Sequence, residues 1–266
     1  MIKRFHEAPI SIFGLVQSLT DGDYALVHLF QENAEYRNMF YKARNAGREI
    51  ILDNSVFELG PKFDVDVFAD CVKDLKPTYY IVPDVPENLE EHLDKFFNFV
   101  EKYPDLPGKR MGVVQGKTPE ELFNCYRLIA PVCDKIAISM DYGFWNNNAS
   151  SSPDISREFK LMQGRRDLLQ FMHRYNIVDK SKPHHLLGVQ LPQEVIGYSE
   201  MYPWIDSIDT SNPVVHGLIG QRYFDIAGLP AKHPVKLADY IDRSVTAAEW
   251  RNIEYNIDTF RRMCNE

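Results

Sequence analysis

The sequence predicts an α/β fold, a (β/α)8 TIM barrel formed as a single domain over residues 1–266. Three observations predict it. Short apolar runs rich in β-branched and aromatic residues alternate with longer segments of helical period. The polar residues closing those runs recur at similar distances: 31 positions from Asp53 to Asp84, 31 from Asp84 to Gln115 and 24 from Gln115 to Ser139. A barrel of this length allots roughly 33 residues to each βα unit. No G-x-G-x-x-G follows the first strand, which removes the main support for the competing doubly wound sheet.

Seven runs read as strands: 24–30 (YALVHLF), 49–53 (EIILD), 78–83 (TYYIVP), 110–115 (RMGVVQ), 135–139 (KIAIS), 185–190 (HLLGVQ) and 204–209 (WIDSID). Most lack alternation, as expected of strands covered on both faces. The eighth is expected near 213–219. Between them, 35–46 carries Tyr36, Met39, Phe40 and Ala43 at helical spacing and stops at Gly47. Thr118-Pro119-Glu120-Glu121 is a capping box with proline at the first helical position, and Thr246-Ala247-Ala248-Glu249 opens the last helix in the same way. The polar stretch 146–153 reads as a βα loop, either a lid or a plain connector.

Composition narrows the class. Of 266 residues, 44% are hydrophobic, enough for one sizeable core, and 30 Lys+Arg stand against 38 Asp+Glu for a net charge of −8. That balance excludes a protein that coats nucleic acid by bulk charge, though not an enzyme with a local basic strip. Cys71, Cys125, Cys133 and Cys264 form no C-x-x-C, and Cys125 and Cys133 read as small buried hydrophobes. No stretch approaches the roughly 20 apolar residues of a membrane span, and the opening MIKRFHEAPISIF lacks a secretory pattern. A cytoplasmic protein is expected, in the host cytoplasm if the chain is phage-encoded.

The ends of the predicted strands carry the chemistry: Asp53, Asp84, Gln115, Ser139, Gly188 and Asp209. Barrel strands deliver such residues to one mouth. Carboxylates gathered there perturb one another, which marks a site. Two carboxylates across a pocket suit double displacement at an anomeric carbon. A further carboxylate and a carboxamide can read the hydrogen-bonding edge of a purine. Spacing alone leaves nucleobase exchange and glycoside hydrolysis both open.

These segments resemble the tRNA-guanine transglycosylases, the queuine or archaeosine tRNA-ribosyltransferases, which are (β/α)8 barrels. Residues 183–209, PHHLLGVQLPQEVIGYSEMYPWIDSID, resemble the family's P-H-Y-L-M-G-V-G-x-P-x-D-I-V segment, which runs on to the strand bearing the nucleophilic aspartate. Asp53-Asn54-Ser55 resembles its D-S-G stretch, Asp84 its base-binding aspartate, and 112–116 (GVVQG) its glutamine strand. The resemblance implies Asp209 as nucleophile at C1′ and Asp53 as general acid/base. It implies Asp84 and Gln115 on the base edge, helped by backbone around Ser139 and Met140, with Phe57 and Leu187 beside Gly188 sandwiching the base.

Departures from the family are equally plain. Its tRNA enzymes carry a C-x-C-x-x-C…H zinc site that this chain lacks, and His216 and His233 have no cysteines around them. The resemblance is therefore to the compact, zinc-free phage and bacterial branch that places 7-deazaguanines in DNA. It implies DNA, with tRNA as the alternative, and a free 7-deazaguanine base as partners, with no metal, cofactor or membrane. A homodimer is one option for the assembly. Arg165-Arg166, Lys109-Arg110, Arg222, Lys232, Lys236 and Arg261-Arg262 are candidate backbone contacts. Tyr142, Phe144 and Trp145 are candidates either to stack on flanking bases or to pack their loop down. A catalytically silent nucleic-acid-binding barrel and a barrel glycosidase are the competing readings.

Overall fold

The structure is a computed structural model that describes residues 1–149, 155–233 and 237–265. Eight parallel strands close into a barrel in chain order: β1 (Lys3–Phe5), β2 (Gly22–Leu26), β3 (Glu49–Asp53), β4 (Tyr79–Ile81), β5 (Lys109–Val114), β6 (Lys135–Ile138), β7 (His184–Leu186) and β8 (Ile205–Asp209). This is the predicted (β/α)8 TIM-barrel fold. The chain divides into two compact units, Gly22–Ala137 and Met1–Asp21 with Ile138–Glu266.

In the Gly22–Ala137 unit, β2 pairs with β3 in register from Gly22↔Glu49 to Leu26↔Asp53, and β3–β4 and β4–β5 continue the sheet. The helices begin where the sequence supplies side-chain acceptors for their orphan N–H groups. Asn33 caps Ala34–Asn45, Asp64 caps Val65–Leu75, Asn88 caps Leu89–Lys102 and Thr118 caps Pro119–Ile129. Their apolar faces meet the sheet through buried rings, with Phe68 5.9 Å from Phe99 and Phe99 6.3 Å from Tyr80.

One strand expectation fails here. The run 24–30 leaves the sheet after Leu26 and becomes the helix Val27–Glu32. Val27 and Phe30, three apart, are the residues that this turn buries, and a short apolar run cannot separate that spacing from a strand.

In the other unit, β8 lies between β1 and β7. The expected eighth strand at 213–219 is instead the helix Asn212–Leu218, buried along its whole length, with Pro213 in its first turn. A helix buried on all sides reads like a buried strand. The missing strand is β1, whose three residues are too few to show a pattern. The stretch 146–153 also departs from expectation: Gly143–Ala149 is a helix, while residues 150–153 lie outside the described residues, as does Lys236. Gly164 lets that helix lie close, since a Cβ there would stand 2.9 Å from the Asn146 backbone nitrogen. The Thr246 capping box is present, Thr246 Oγ1 accepting from the Glu249 N–H at 3.3 Å and Glu249 from the Thr246 N–H at 2.7 Å.

Helix Asn212–Leu218 packs on Ala247–Asn265 around Val214, Val215, Leu218, Ile253 and Ile257. Gly217 permits the approach: a Cβ at this position would lie 2.5 Å from Ile253 Cγ1 and 2.6 Å from the Ile253 nitrogen. Backbone cannot swing aside as a flexible side chain can. Gly217→Ala is therefore expected to lower stability by about 1–3 kcal/mol, measured by denaturant unfolding. An unchanged midpoint would show that the two helices do not need this contact.

Candidate functional site

The Gly22–Ala137 unit holds a polar cluster at the C-terminal ends of its strands. Asp53 closes β3 and is half-buried, its Oδ1 accepting from the Tyr24 hydroxyl at 3.0 Å and its Oδ2 from the Ser55 N–H at 2.7 Å. That second bond is an Asx-type turn, and it holds Ser55 at φ +54°, a left-handed conformation that costs a non-glycine residue about 1–2 kcal/mol. Strain of this kind persists where surrounding structure fixes a functional geometry.

Asp84 lies three residues beyond β4 and is 9% exposed. Asn54 Nδ2 donates to its Oδ1 at 3.0 Å and Gln115 Nε2 to its Oδ2 at 2.6 Å. Burial pushes the Asp84 carboxyl up, and these two amide donors offset part of that. Gln115 itself is 1% exposed, and its Oε1 accepts from the Glu87 N–H at 3.4 Å. One N–H of its amide is thus committed to Asp84, and that bond orients the carboxylate. Phe57, in the short helix Val56–Leu59, is 65% exposed.

The second cluster belongs to the unit Met1–Asp21 with Ile138–Glu266. Asp209 ends β8 and is buried. Its Oδ1 accepts from His185 Nε2 and from the Gly188 N–H, each at 3.0 Å, while its Oδ2 takes no hydrogen bond from the described residues. Gly188 has φ +54°, and a Cβ there would stand 3.0 Å from Met140 Sδ. Both the turn and the close approach therefore call for glycine.

Arg165 braces this turn from beneath. It is 1% exposed, and it donates from Nη1 to the Leu187 carbonyl at 2.5 Å and from Nη2 to the Gly188 carbonyl at 2.8 Å. Its Nε reaches Glu194 Oε1 at 2.6 Å. Burial pulls the guanidinium down, yet the charge and hydrogen bond of Glu194 more than offset it, leaving Arg165 above its ordinary value. Leu187 also donates its N–H to the Ile138 carbonyl, and Ser139, buried, accepts from the Asp141 N–H through its hydroxyl. Asp209, Gly188, Leu187, Met140 and Ser139 thus belong to one unit. Asp53, Asp84, Gln115 and Phe57 belong to the other.

Several expectations about cations and aromatics need correction. Arg165 and Arg166 are engaged within the protein: Arg165 is buried, and half-buried Arg166 donates to the Gln193 and Glu194 carbonyls. Lys109 and Arg110 open β5, roughly 17–20 Å of strand from Gln115, so they lie at the wrong end of their strand. Tyr142 and Trp145 are buried in the packing and Phe144 is 40% exposed. Arg222 pairs with Asn252, and Arg262 with Asp225. Lys232 remains, half-buried, with its Nζ 2.6 Å from Gln190 Oε1 and burial pushing the ammonium down. Among the described residues no three His, Cys, Asp or Glu are grouped to hold a metal ion, and no helix is long and apolar enough to cross a membrane.

With this geometry in hand, comparison with known proteins adds the fold and nothing finer. No family model matches the chain, and no curated protein matches its sequence. A solved structure from Coccidioides immitis, described as a "putative fructose-1,6-biphosphate aldolase", is similar over 99% of this chain and 92% of its own, at TM-score 0.50 and 10% identity. The likeness is one of fold.

Sequence reasoning missed four contributors: His185, Asn54, Tyr24 and the Arg165–Glu194 pair. His185 had a detectable signal, because it directly precedes the L-L-G turn. Asn54 and Tyr24 had none, since their roles depend on strand register.

Two measurements follow from the buried groups. Arg165→Met strands the Glu194 carboxylate without a partner, and is expected to cost about 3–5 kcal/mol. Adding Glu194→Leu should recover much of that in denaturant unfolding, and no recovery would show that the pair is not the source of the loss.

The second concerns acid. Burial lowers His6, His92 and His216 to about 4 from an ordinary 6.5. Below pH 6.5 the unfolded chain takes up protons that the native histidines refuse. Stability is therefore full above 6.5 and falls toward pH 4, by up to about 3 kcal/mol per residue, partly offset by the raised Asp84. Urea unfolding at stepped pH reads this slope, and a flat profile between 6.5 and 4 would contradict it.

Proposed function

We propose that this protein is an enzyme, a base-exchange transglycosylase that replaces guanine in DNA with a 7-deazaguanine through a covalent aspartyl–nucleic acid intermediate. The observation that carries the reading is the asymmetry of Asp209. One carboxylate oxygen is pinned by two donors, and the other takes no hydrogen bond from the described residues. A carboxylate held in this way presents one defined oxygen to an electrophile, as nucleophilic displacement at C1′ requires.

In the first displacement Asp209 Oδ2 forms a bond to C1′. The glycosidic electron pair leaves with guanine, which takes a proton from Asp53. In the second, N9 of the incoming 7-deazaguanine attacks C1′ after returning its proton to Asp53, and the ester electron pair reverts to Asp209. Asp84, oriented by Asn54 and Gln115, would accept from the N–H groups of the base edge. This carboxylate–carboxamide set favours a nucleobase over a plain sugar as ligand, because it matches adjacent donors on a planar ring. Phe57 and Leu187 would flank the ring. The target base must leave the stack before C1′ is accessible. Lys232 is the candidate cation for a neighbouring phosphate, and with an acidic chain overall the affinity should be modest and salt-sensitive.

The test is nucleoside mass spectrometry of DNA and tRNA from cells that express the chain and are supplied with 7-deazaguanines. A modified deoxynucleoside is expected. A modified ribonucleoside would move the substrate to tRNA, and no modification in either would favour the silent binding barrel. Asp209→Asn should abolish both the covalent adduct and exchange of labelled guanine, and wild-type exchange in that variant would refute the nucleophile assignment. Asp53→Ala should stop base incorporation while leaving polynucleotide binding.

A further inference from the structure

Parallel strands β7 and β8 are not in simple register. His184 pairs with Ile205, but His185 pairs with Ser207, an irregularity between His184 and His185 that skips one residue of β8. Bulges of this kind re-aim side chains beside active sites. Ser207 and Asp209, two apart on β8, face the same side of their strand, and the skip brings His185 to that side. Its ring then lies between them, Nδ1 2.9 Å from Ser207 Oγ and Nε2 3.0 Å from Asp209 Oδ1. His185 and Ser207 are fully buried, and Phe5 of β1 meets the imidazole edge-on at 6.1 Å.

We propose that His185 is a positioning residue for base exchange, which holds Asp209 Oδ1 and stabilises the carboxylate as it leaves in the second displacement. The proposal rests on the transglycosylase reading above. Its logic is electrostatic. In the free enzyme Oδ1 carries half of a full negative charge. In the ester it becomes a nearly neutral carbonyl oxygen. When the C1′–O bond breaks, the electron pair returns to the carboxylate and charge reappears on Oδ1, where the Nε2–H and the Gly188 N–H already wait. Donors placed in advance where charge develops lower the barrier of that step.

The Asp209 carboxylate, which can only accept, places the ring proton on Nε2, and the Ser207 hydroxyl supports that tautomer by donating to Nδ1. The same two donors weaken the nucleophile slightly in the first displacement. Losing His185 should therefore slow breakdown of the covalent adduct far more than its formation.

The experiment follows the adduct directly. Wild type, His185→Leu, His185→Gln and Ser207→Ala are each incubated with guanine-containing single-stranded DNA, and in parallel with tRNA. The covalent species is read on a denaturing gel and then chased with labelled guanine. His185→Leu is expected to accumulate adduct that decays about 10–100-fold more slowly, the range for losing a hydrogen bond to a charged acceptor, with kcat and the KM for polynucleotide reduced together. His185→Gln, whose side-chain amide can present an N–H near the Nε2 position, should decay within about threefold of wild type. Ser207→Ala should fall between.

Wild-type decay in His185→Leu overturns the assignment, as does a glutamine variant as slow as the leucine one, which would mean the ring acts only by filling space. A wild-type protein that forms no adduct with either polynucleotide would instead overturn the base-exchange reading, and this proposal with it.

Discussion

The Asp209 geometry depends on one buried cation. Arg165 points its planar fork at two consecutive carbonyls, those of Leu187 and Gly188, while its remaining edge is fixed by Glu194. Holding both carbonyls sets the orientation of the turn between β7 and the 3-10 helix Pro192–Val195. That orientation aims the Gly188 N–H at Asp209. An unpaired guanidinium would not remain in such a place, because desolvation alone costs several kcal/mol. Glu194 makes the position tenable, and lysine could not replace Arg165, since a point charge cannot hold two acceptors and a carboxylate at fixed angles.

Much of this was readable in the sequence, and the limits have physical causes. Asp53 and Asp209 close their strands as the pattern implied, and the capping residues Thr118 and Thr246 open their helices as expected. Where the reading failed, the local signal was degenerate. The 24–30 run and the 213–219 run are both apolar and both buried, and burial on every side erases the periodicity that separates helix from strand. β1 could not be seen because three residues carry no period at all. Arg165 and Arg166 looked like surface charge, since lysine and arginine are seldom fully buried. Only three-dimensional proximity to Glu194 and the Leu187 and Gly188 carbonyls reveals otherwise.

That error bears on the partner. With Arg165 and Arg166 engaged by backbone carbonyls, and Lys109 and Arg110 at the opposite end of their strand from Gln115, these two basic pairs do not form a strip for a polyanion. A polynucleotide substrate would then be held less by phosphate neutralisation than by capture of the extruded base. On the proposed reading, base capture would fall to the carboxylate–carboxamide set around Asp84. Asn54 and Gln115 each donate to a different oxygen of Asp84, so the carboxylate cannot rotate to follow a misfitting ligand. On that reading, selectivity would come from the ligand's own donor pattern.

The aspartates of the two clusters sit in different surroundings. Asp84 is buried, and burial pushes its carboxyl up while the Asn54 and Gln115 donors offset part of that. Asp53 is more open, its Oδ1 accepting from the Tyr24 hydroxyl and its Oδ2 from the Ser55 N–H. Asp209 has one oxygen held and one left for bond formation. Three aspartates at strand ends look interchangeable in a sequence. Their differing hydrogen-bond partners and burial set them apart, as the proposed roles of base reader, proton carrier and nucleophile would require, and the difference follows from register: a residue moved by one position along β3 or β8 would point to the other face of its strand.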